Sequence, residues 1–212
     1  MTDTILISKI ELLNPRKKSY ALYQNDTFLS EITEDTLVHF AISRGNTFSK
    51  KEFDRILRHD KVNLCLRQAY TYLSRRPHLK KELQRKLKQK LYTQDIIDQA
   101  IIHLKKNKYI DDNEYIRMFI RDVLRHNKTG PLLIKKKLVE KGAPFELIDV
   151  HLDELFPYAI QDEIAFKLLN SKNQKLTEDN LLKQKQKLQK FGMGRGFSWA
   201  VLEPVISRIV KE

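Results

Sequence analysis

Lysine and arginine side chains are concentrated in one stretch of the chain, and the chemistry they offer is the binding of anions. The 212-residue sequence has 40 Lys+Arg against 27 Asp+Glu, a formal net charge of +13. Residues 61–111 hold thirteen of these bases and only four acids, whereas residues 1–60 and 112–158 are each neutral overall, and residues 159–212 have ten bases against six acids. This distribution predicts a polyanionic partner: nucleic acid, an anionic membrane surface or an acidic protein surface.

The densest part of this stretch has the spacing of an amphipathic helix. Leu79, Leu83, Leu87 and Leu91 recur every four residues, which predicts one apolar stripe along a helix from residue 79 to residue 91. The rest of that helix carries six bases and a single opposing acid, Glu82. Because like charges on one face repel each other, we interpret this face as an anion-binding surface and not only as a solvated one. The candidate contacts for DNA or a protein partner are Arg75, Arg76, Lys80, Lys81, Arg85, Lys86, Lys88, Lys90, Lys105, Lys106, Lys108, Lys135 and Lys136.

Two smaller clusters of charged residues can be explained by helix capping and the helix dipole as well as by a binding function. Arg75 and Arg76 come at a predicted helix C-terminus, where the helix dipole alone favours cations; a contact with phosphate or an acidic surface is the alternative. Asp111, Asp112 and Glu114 have the pattern of a helix N-cap with an acidic first turn, and they lack the distal ligands of a Mg²⁺ or Ca²⁺ site. We therefore predict a helix start there and no metal site.

The sequence contains no set of residues that would make an enzyme. The glycine-rich segment 192–196 lacks the preceding strand and the Gly-Lys-Ser/Thr of a phosphate-binding loop, and we predict a flexible connector there. Cys65 is the single cysteine and has no Cys partner for zinc, and the six histidines show no metal-ligand spacing. Hydrolase and metalloprotease motifs are absent from the sequence. We predict no catalytic residue, no metal and no cofactor.

The elements that position these residues begin with a small β-rich extension. Residues 5–10, 20–23 and 27–29 have the alternation or composition of strands, and turn-forming residues lie between them at 14–17 and 24–26. This pattern predicts a hairpin or meander. Because so small a sheet is marginal alone, we expect it to pack on a neighbouring helix.

Helical spacing dominates after the sheet. One helix is expected from Thr33 or Asp35 to near Gly45, and the next begins at a capping box formed by Ser49 and Glu52. Further helix starts or ends are predicted at Thr93, Asp111 or Asp112, Pro131, Gly142 and Pro144.

A repeat of about fifty residues is visible in these helices. Residues 91–97, 141–148 and 195–202 each place a short turn between the end of a basic helix and the start of an apolar one. The predicted fold is mainly α: tandem three-helix, helix-turn-helix-like repeats in an elongated, curved array after the β-rich extension. The predicted domains are residues 1–60, with strands and one or two helices, and three repeats at 61–111, 112–158 and 159–212.

Three segments of the chain resemble RecX proteins, in the order in which that family has them. Leu73–Leu83 is similar to its Leu-Ser-x-Arg-x-x-[Thr/Ser]-x-x-Glu-Leu segment. Lys108–Tyr115 is similar to its [Gly/Lys]-Tyr-[Leu/Ile]-Asp-Asp-x-x-[Tyr/Phe]-Ala segment, with Ile116 in place of the final Ala. Gly130–Gly142 is similar to its Gly-Pro-x-x-Ile-x-x-x-Leu-x-x-Lys-Gly segment. The resemblance runs from about residue 5 to the carboxyl end.

This resemblance implies a protein that binds the RecA recombinase and its filament on single-stranded DNA. It implies negative regulation of ATP hydrolysis, strand exchange and coprotease activity, in recombination, DNA repair and the SOS response. It implies tandem three-helix repeats without catalytic residues. The sign of the regulation follows from the resemblance, since nothing in the charge pattern separates an inhibitor from a stabiliser of the filament.

A second hypothesis is a stand-alone, non-specific DNA-binding protein built from helix-turn-helix units. Sequence-specific reading is disfavoured, because the third helices of the first two repeats begin near Asp95 and Glu146, and phosphates would repel these acids. Residues 1–4 lack the basic start of a signal peptide, and no apolar run approaches the roughly 20 residues of a membrane span. We expect a cytoplasmic monomer.

Overall fold

The computed structural model describes residues 4–126, 128–177 and 180–210, which form two compact units. Unit 1 contains the residues up to Arg76 together with Gln84–Tyr109. Unit 2 contains Pro77–Leu83 and the residues from Ile110 onward. Residues 1–3, which belong to the segment considered for a signal peptide, lie outside the described residues.

The strands of unit 1 form two antiparallel sheets. Strands β2 (Lys9–Asn14), β3 (Ser19–Gln24) and β4 (Thr27–Thr33) form the predicted meander with β3 in the centre. Strand β1 (Thr4–Leu6) pairs instead with β5 (Thr47–Ser49), so that Ile5 lies opposite Phe48. The sequence did not predict β5, because three residues are too few to show an alternating pattern.

A short helix, α1 (Glu34–His39), follows the meander, and the prediction that it extends to near Gly45 was wrong. The chain leaves the helix because Ala41 adopts a left-handed backbone with φ of +49°. The Ile42 N–H donates to the Leu37 carbonyl at 2.9 Å and closes this turn, which buries the Ile42 side chain. Because the helix ends early, Ile42 is buried in the unit 1 core, and burial of this apolar side chain stabilises the turn.

Helix α2 (Lys50–Leu73) is the long element on which the sheets pack. The predicted capping box is confirmed: the Glu52 carboxylate accepts from the Ser49 N–H at 2.8 Å, and the Ser49 hydroxyl accepts from the Glu52 N–H at 3.3 Å. Inside, the buried Asp60 carboxylate accepts from the Thr33 N–H at 2.9 Å and from its hydroxyl at 2.6 Å. The predicted domain boundary between residues 60 and 61 lies within this helix.

The first three-helix group consists of α2, α3 (Lys80–Lys88) and α4 (Gln94–Lys106). Thr93 is the N-cap residue of α4, as predicted. The prediction that α3 reaches Leu91 was wrong: the helix ends at Lys88, and Leu91 has a left-handed backbone with φ of +65° and is 91% exposed. The fourth leucine of the apparent stripe therefore lies in a turn and packs against nothing.

The remaining helices belong to unit 2 and are α5 (Asp112–Arg125), α6 (Pro131–Glu140), α7 (Phe145–Leu155), α8 (Tyr158–Asn173), α9 (Leu181–Gly194) and α10 (Trp199–Ile209). Asp111 caps α5 and accepts from the Asn113 N–H at 2.8 Å, and Pro131 is the first residue of α6. Their buried core includes Leu79, Ile116, Ile120, Ile134, Leu138, Ile148, Leu188, Phe197 and Leu202. The boundaries predicted between the three repeats stay a prediction.

The glycine-rich segment near the carboxyl end is not the predicted flexible connector. Gly192 and Gly194 belong to α9, and a Cβ at Gly192 would lie 2.4 Å from a methyl carbon of Leu202. The glycine is needed because α10 packs closely against α9 there.

Candidate anion-binding surface

Helix α3 presents its leucines and its one acid to the interior. Leu83 and Leu87 are fully buried, as is Leu79 just before the helix. The Glu82 carboxylate is also buried and lies 3.9 Å from the ring of His78. Because its acid faces inward, the outer surface of α3 has no carboxylate of its own.

The outer surface of α3 carries three exposed cations, which we call the basic stripe: Lys81, Arg85 and Lys88. Their spacing of four and three residues aligns them along one face of the helix. None of the three is in an ion pair with any residue that the structure describes. Lys86 differs, because its ammonium lies 5.1 Å from the centre of the Tyr72 ring.

The acids of α4 do not neutralise the basic stripe. The Asp95 carboxylate is 3.0 Å from the Arg58 guanidinium and accepts from the Thr93 hydroxyl at 2.5 Å. The Thr93 hydrogen bond, followed by the charge of Arg58, holds the pKa of Asp95 below its ordinary value. Asp98 accepts from the amide of Gln94 at 2.9 Å. Both acids therefore have structural partners outside the basic stripe.

The predicted contacts that lie outside α3 and α6 are in turns or at helix ends. Lys105 and Lys106 are in the last turn of α4, and Lys108 follows it; all three are exposed. Cations at that end are favoured by the helix dipole. Arg75, Arg76 and Lys90 lie in the turns that follow α2 and α3, and they are exposed as well.

Two predicted contacts on α6 have different surroundings. The Lys135 ammonium is 2.6 Å from one Asp149 oxygen and 2.8 Å from the other, and it lies 3.8 Å from the centre of the Phe145 ring. Lys136 is exposed. The structure thus gives Lys135 partners within unit 2, whereas Lys136 remains accessible.

Two features of the described residues bear on reactive chemistry: the single thiol and the arrangement of possible metal ligands. Burial raises the pKa of the Cys65 thiol to about 11, so the thiol is protonated and a poor nucleophile at neutral pH. Within residues 4–126, 128–177 and 180–210, no group of three or more His, Cys, Asp or Glu side chains is arranged to hold a metal ion. In the same ranges, no helix is long and apolar enough to cross a bilayer.

A basic groove in unit 2 was not foreseen from the sequence. Its lining includes Lys128, with His126 beside it, and the cations Lys167, Lys172, Lys175 and Arg195. Counting charge along the chain could not find it, because the cations that line it come from a neutral segment, residues 112–158, and from a moderately basic one, residues 159–212. Gly130 and Gly196 bring two of these segments together, because a Cβ at Gly130 would lie 2.4 Å from the Gly196 oxygen.

Residues 65–104, which include most of the first three-helix group, match the family model described as RecX, first three-helix domain. Regulatory protein RecX of Bacillus cytotoxicus is 28% identical over 211 residues, covering 98% of this chain and 78% of the relative. Regulatory protein RecX of Streptococcus uberis is 28% identical over 93% of this chain and 75% of its own length.

Solved structures agree with the fold. A crystal structure of regulatory protein RecX superposes with a TM-score of 0.77 at 24% identity, covering 94% of this chain and 98% of its own. RecX from Lactobacillus salivarius gives a TM-score of 0.68 at 23% identity, over 71% and 97% of the two chains. The predicted resemblance to the RecX family is confirmed, and with it the mainly α class built on three-helix units. The names of the relatives support a regulatory role for this chain.

Proposed function

Starting from this RecX-type regulatory role, we propose that the protein binds a RecA-type recombinase and its nucleoprotein filament on single-stranded DNA. In this proposal it lowers the ATP hydrolysis, strand exchange and coprotease activity of the filament during recombination, DNA repair and the SOS response. It acts without catalysis, as a cytoplasmic monomer.

The observation that carries the proposal is the basic stripe of α3. Its three cations project from a helix whose only acid is buried, and they have no ion-pair partner among the described residues. A run of uncompensated like charges raises the free energy of the isolated protein and lowers it again when a polyanion approaches. A filament of protein on DNA offers such a polyanion, so this surface should both speed association and make binding depend on salt.

A regulator without catalytic groups has two physical routes to slower ATP hydrolysis. It can bind more tightly to a filament state in which hydrolysis is slow, or it can keep DNA from the recombinase. The first route needs less than one regulator per recombinase subunit, because one bound molecule biases its neighbours. The second needs enough regulator to cover the DNA.

The deciding experiment is a titration of single-stranded-DNA-dependent ATP hydrolysis by the RecA recombinase of the same organism, at fixed salt. A fall in hydrolysis at substoichiometric regulator is the expected result and supports the first route. A fall only when regulator covers the DNA favours the second route. Unchanged hydrolysis with the regulator in excess over recombinase contradicts the proposal.

The second candidate function is non-specific DNA binding without a recombinase. It is supported by the exposed cations of unit 1, and base-specific reading is disfavoured by the acid near the start of α4. Asp95 is exposed, and its carboxylate carries a negative charge, so it repels phosphate at the end of the helix that would enter a groove. A protein that binds bare DNA as tightly as the filament, with no effect on hydrolysis, would have this second function.

A further inference from the structure

Leu91 lies in the turn between α3 and α4, and its side chain is 91% exposed although it is apolar. It also has a left-handed backbone, with φ of +65°. The other described non-glycine residues with a positive φ are smaller or polar: Lys18, Asn25, Asp26, Ala41 and Lys108. Because a Cβ makes this conformation unfavourable, and asparagine adopts it more readily than leucine, a leucine at position 91 costs conformational energy.

The equivalent turns of the chain have glycine at this position. The turn between α6 and α7 contains Gly142 with φ of +89°, and the turn between α9 and α10 contains Gly196 with φ of +88°. A Cβ at Gly142 would lie 3.0 Å from the Lys81 Cβ, and a Cβ at Gly196 would lie 2.6 Å from the Leu133 Cβ. Position 91 has room for a side chain, but its leucine is exposed and gains no burial within the chain.

The turn holds Leu91 in a defined position. The Lys90 N–H donates to the Leu87 carbonyl at 2.9 Å, and the Leu91 N–H donates to the Lys88 carbonyl at 2.9 Å. On the other side, Tyr92 is half-buried, and this burial raises the pKa of its hydroxyl. A leucine on a turn that is already ordered loses little further freedom when a partner covers it.

Exposed cations lie next to this leucine in the sequence. Lys88 and Lys90 are exposed, and neither is in an ion pair with any residue that the structure describes. The nearest acid along the chain, Asp95, is 3.0 Å from the Arg58 guanidinium. An apolar side chain beside uncompensated cations is complementary to an apolar pocket with acids at its rim. A nucleic-acid backbone would contact the lysines and leave the leucine in water.

We propose that Leu91 is the anchor residue of a protein interface and enters an apolar pocket with an acidic rim on a subunit of the recombinase filament. This inference rests on the proposed function, because it takes the recombinase as the partner. It assigns the end of α3 to a protein surface, whereas charge alone does not separate protein from DNA. The conformational cost of the leucine is then offset in the complex, where its apolar surface leaves water.

The test compares two binding surfaces by biolayer interferometry: recombinase filaments assembled on oligothymidylate, and the bare oligothymidylate. Leu91→Asn removes the apolar side chain and should weaken filament binding by about tenfold, with an unchanged salt slope because no charge is lost. Its affinity for the bare strand should equal that of the wild-type chain. The matched control Ile102→Gln removes an apolar side chain that is 67% exposed on α4, and it should keep the affinity for the filament.

Thermal unfolding separates a contact with a partner from a role within the chain. Leu91→Asn and Leu91→Gly should each unfold at the wild-type temperature or above it, because both residues adopt the left-handed backbone more readily than leucine. A clear fall in either unfolding temperature would give Leu91 a structural role and overturn the proposal.

Three binding results would also overturn the proposal: an unchanged filament affinity in Leu91→Asn, an equal loss on filament and bare strand, or an equal loss in Ile102→Gln. A wild-type chain that does not bind the filament contradicts the proposed function itself. Wild-type binding without an effect of Leu91→Asn contradicts the anchor alone.

Discussion

Helices α5, α6 and α7 follow one another as α2, α3 and α4 do, and we call them the second three-helix group. Helices α3 and α6 are the second helices of these two groups, and they use equivalent positions for different purposes. The groups are related by a shift of 51 residues, so that Leu83 and Leu87 correspond to Ile134 and Leu138, and all four side chains are fully buried. The position after the first buried residue contacts an acid of the third helix in both groups. In α3 the Gln84 amide donates to Asp98 at 3.3 Å, and in α6 Lys135 donates to Asp149 at 2.6 Å, each pair 14 residues apart.

The exposed faces of the two helices differ more than their buried faces. The basic stripe of α3 corresponds, 51 residues later, to Leu132, Lys136 and Val139. Leu132 is 55% exposed and Val139 is 43% exposed. The comparison shows that a lysine on a repeat helix is not by itself a binding residue. In α6, Lys135 forms an ion pair with Asp149 of the same group, whereas in α3 the neutral amide of Gln84 contacts the equivalent Asp98, and the cations of α3 lie on its exposed face.

The largest effect is expected from the buried row that the two helices share. Leu83→Ala and Ile134→Ala should each lower the free energy of unfolding by about 2–5 kcal/mol, because each removes buried methyl groups and leaves a cavity. Chemical denaturation followed by circular dichroism measures this loss. A loss of this size in one helix and little in the other would break the equivalence of the two groups.

The next largest effect separates the exposed faces. Lys81→Ala/Arg85→Ala/Lys88→Ala should weaken binding to the recombinase filament by about tenfold or more and flatten its salt dependence, because three phosphate or carboxylate contacts are lost. Anisotropy of labelled filaments measures both quantities. The control Lys50→Ala/Lys51→Ala/Arg55→Ala removes the same charge from exposed positions at the start of α2. If the control weakens binding equally, net charge and not the stripe is responsible.

A smaller effect is expected at the equivalent pair of Gln84 and Lys135. Lys135→Gln should lower the free energy of unfolding by about 1 kcal/mol or less, because the pair with Asp149 is partly exposed and the ring of Phe145 adds a modest cation–π contact. Gln84→Lys should form an ion pair with Asp98 and raise the free energy of unfolding by a few tenths of a kcal/mol, about the value of an exposed ion pair. Denaturation curves measure both. A Lys135→Gln variant that keeps its stability but loses filament binding would make Lys135 a contact residue.

The sequence predicted what depends on local spacing and failed where distant segments meet. Leu79, Leu83 and Leu87 were found in advance because a helix repeats every 3.6 residues. Leu91 continues that spacing, yet the backbone turns at that residue with a left-handed conformation. Hydrophobic periodicity does not reveal such a conformation, because a leucine can adopt it at a cost in conformational energy. The inward direction of Glu82 was also missed, although its neighbour His78 is only four residues earlier, because a charged residue beside a leucine stripe was assigned to the exposed face.

The two candidate sites differ in the same way. The basic stripe lies on one helix, so the order of residues along the chain already revealed its charge. The groove of unit 2 depends on a backbone contact between Gly130 and Gly196, 66 positions apart, and on acids such as Asp162 being occupied elsewhere. The net charge of a sequence segment adds these cations to acids that lie on other faces of the fold, so it does not show where the cations come together.

The smallest expected effect concerns acid sensitivity at the start of α4. The folded-state pKa of Asp95 lies below its ordinary value of 3.8, so its contribution to stability is present above that value and is lost as pH falls through the lower, folded-state pKa. Asp95→Asn should therefore flatten the fall of unfolding midpoint below about pH 4. Because the Thr93 hydroxyl is the first cause of the shift, Thr93→Ala should return the pKa of Asp95 towards 3.8, which an NMR titration of the carboxyl carbon measures. A pKa that stays low in Thr93→Ala would assign the shift to the charge of Arg58, whose guanidinium is 3.0 Å from the Asp95 carboxylate.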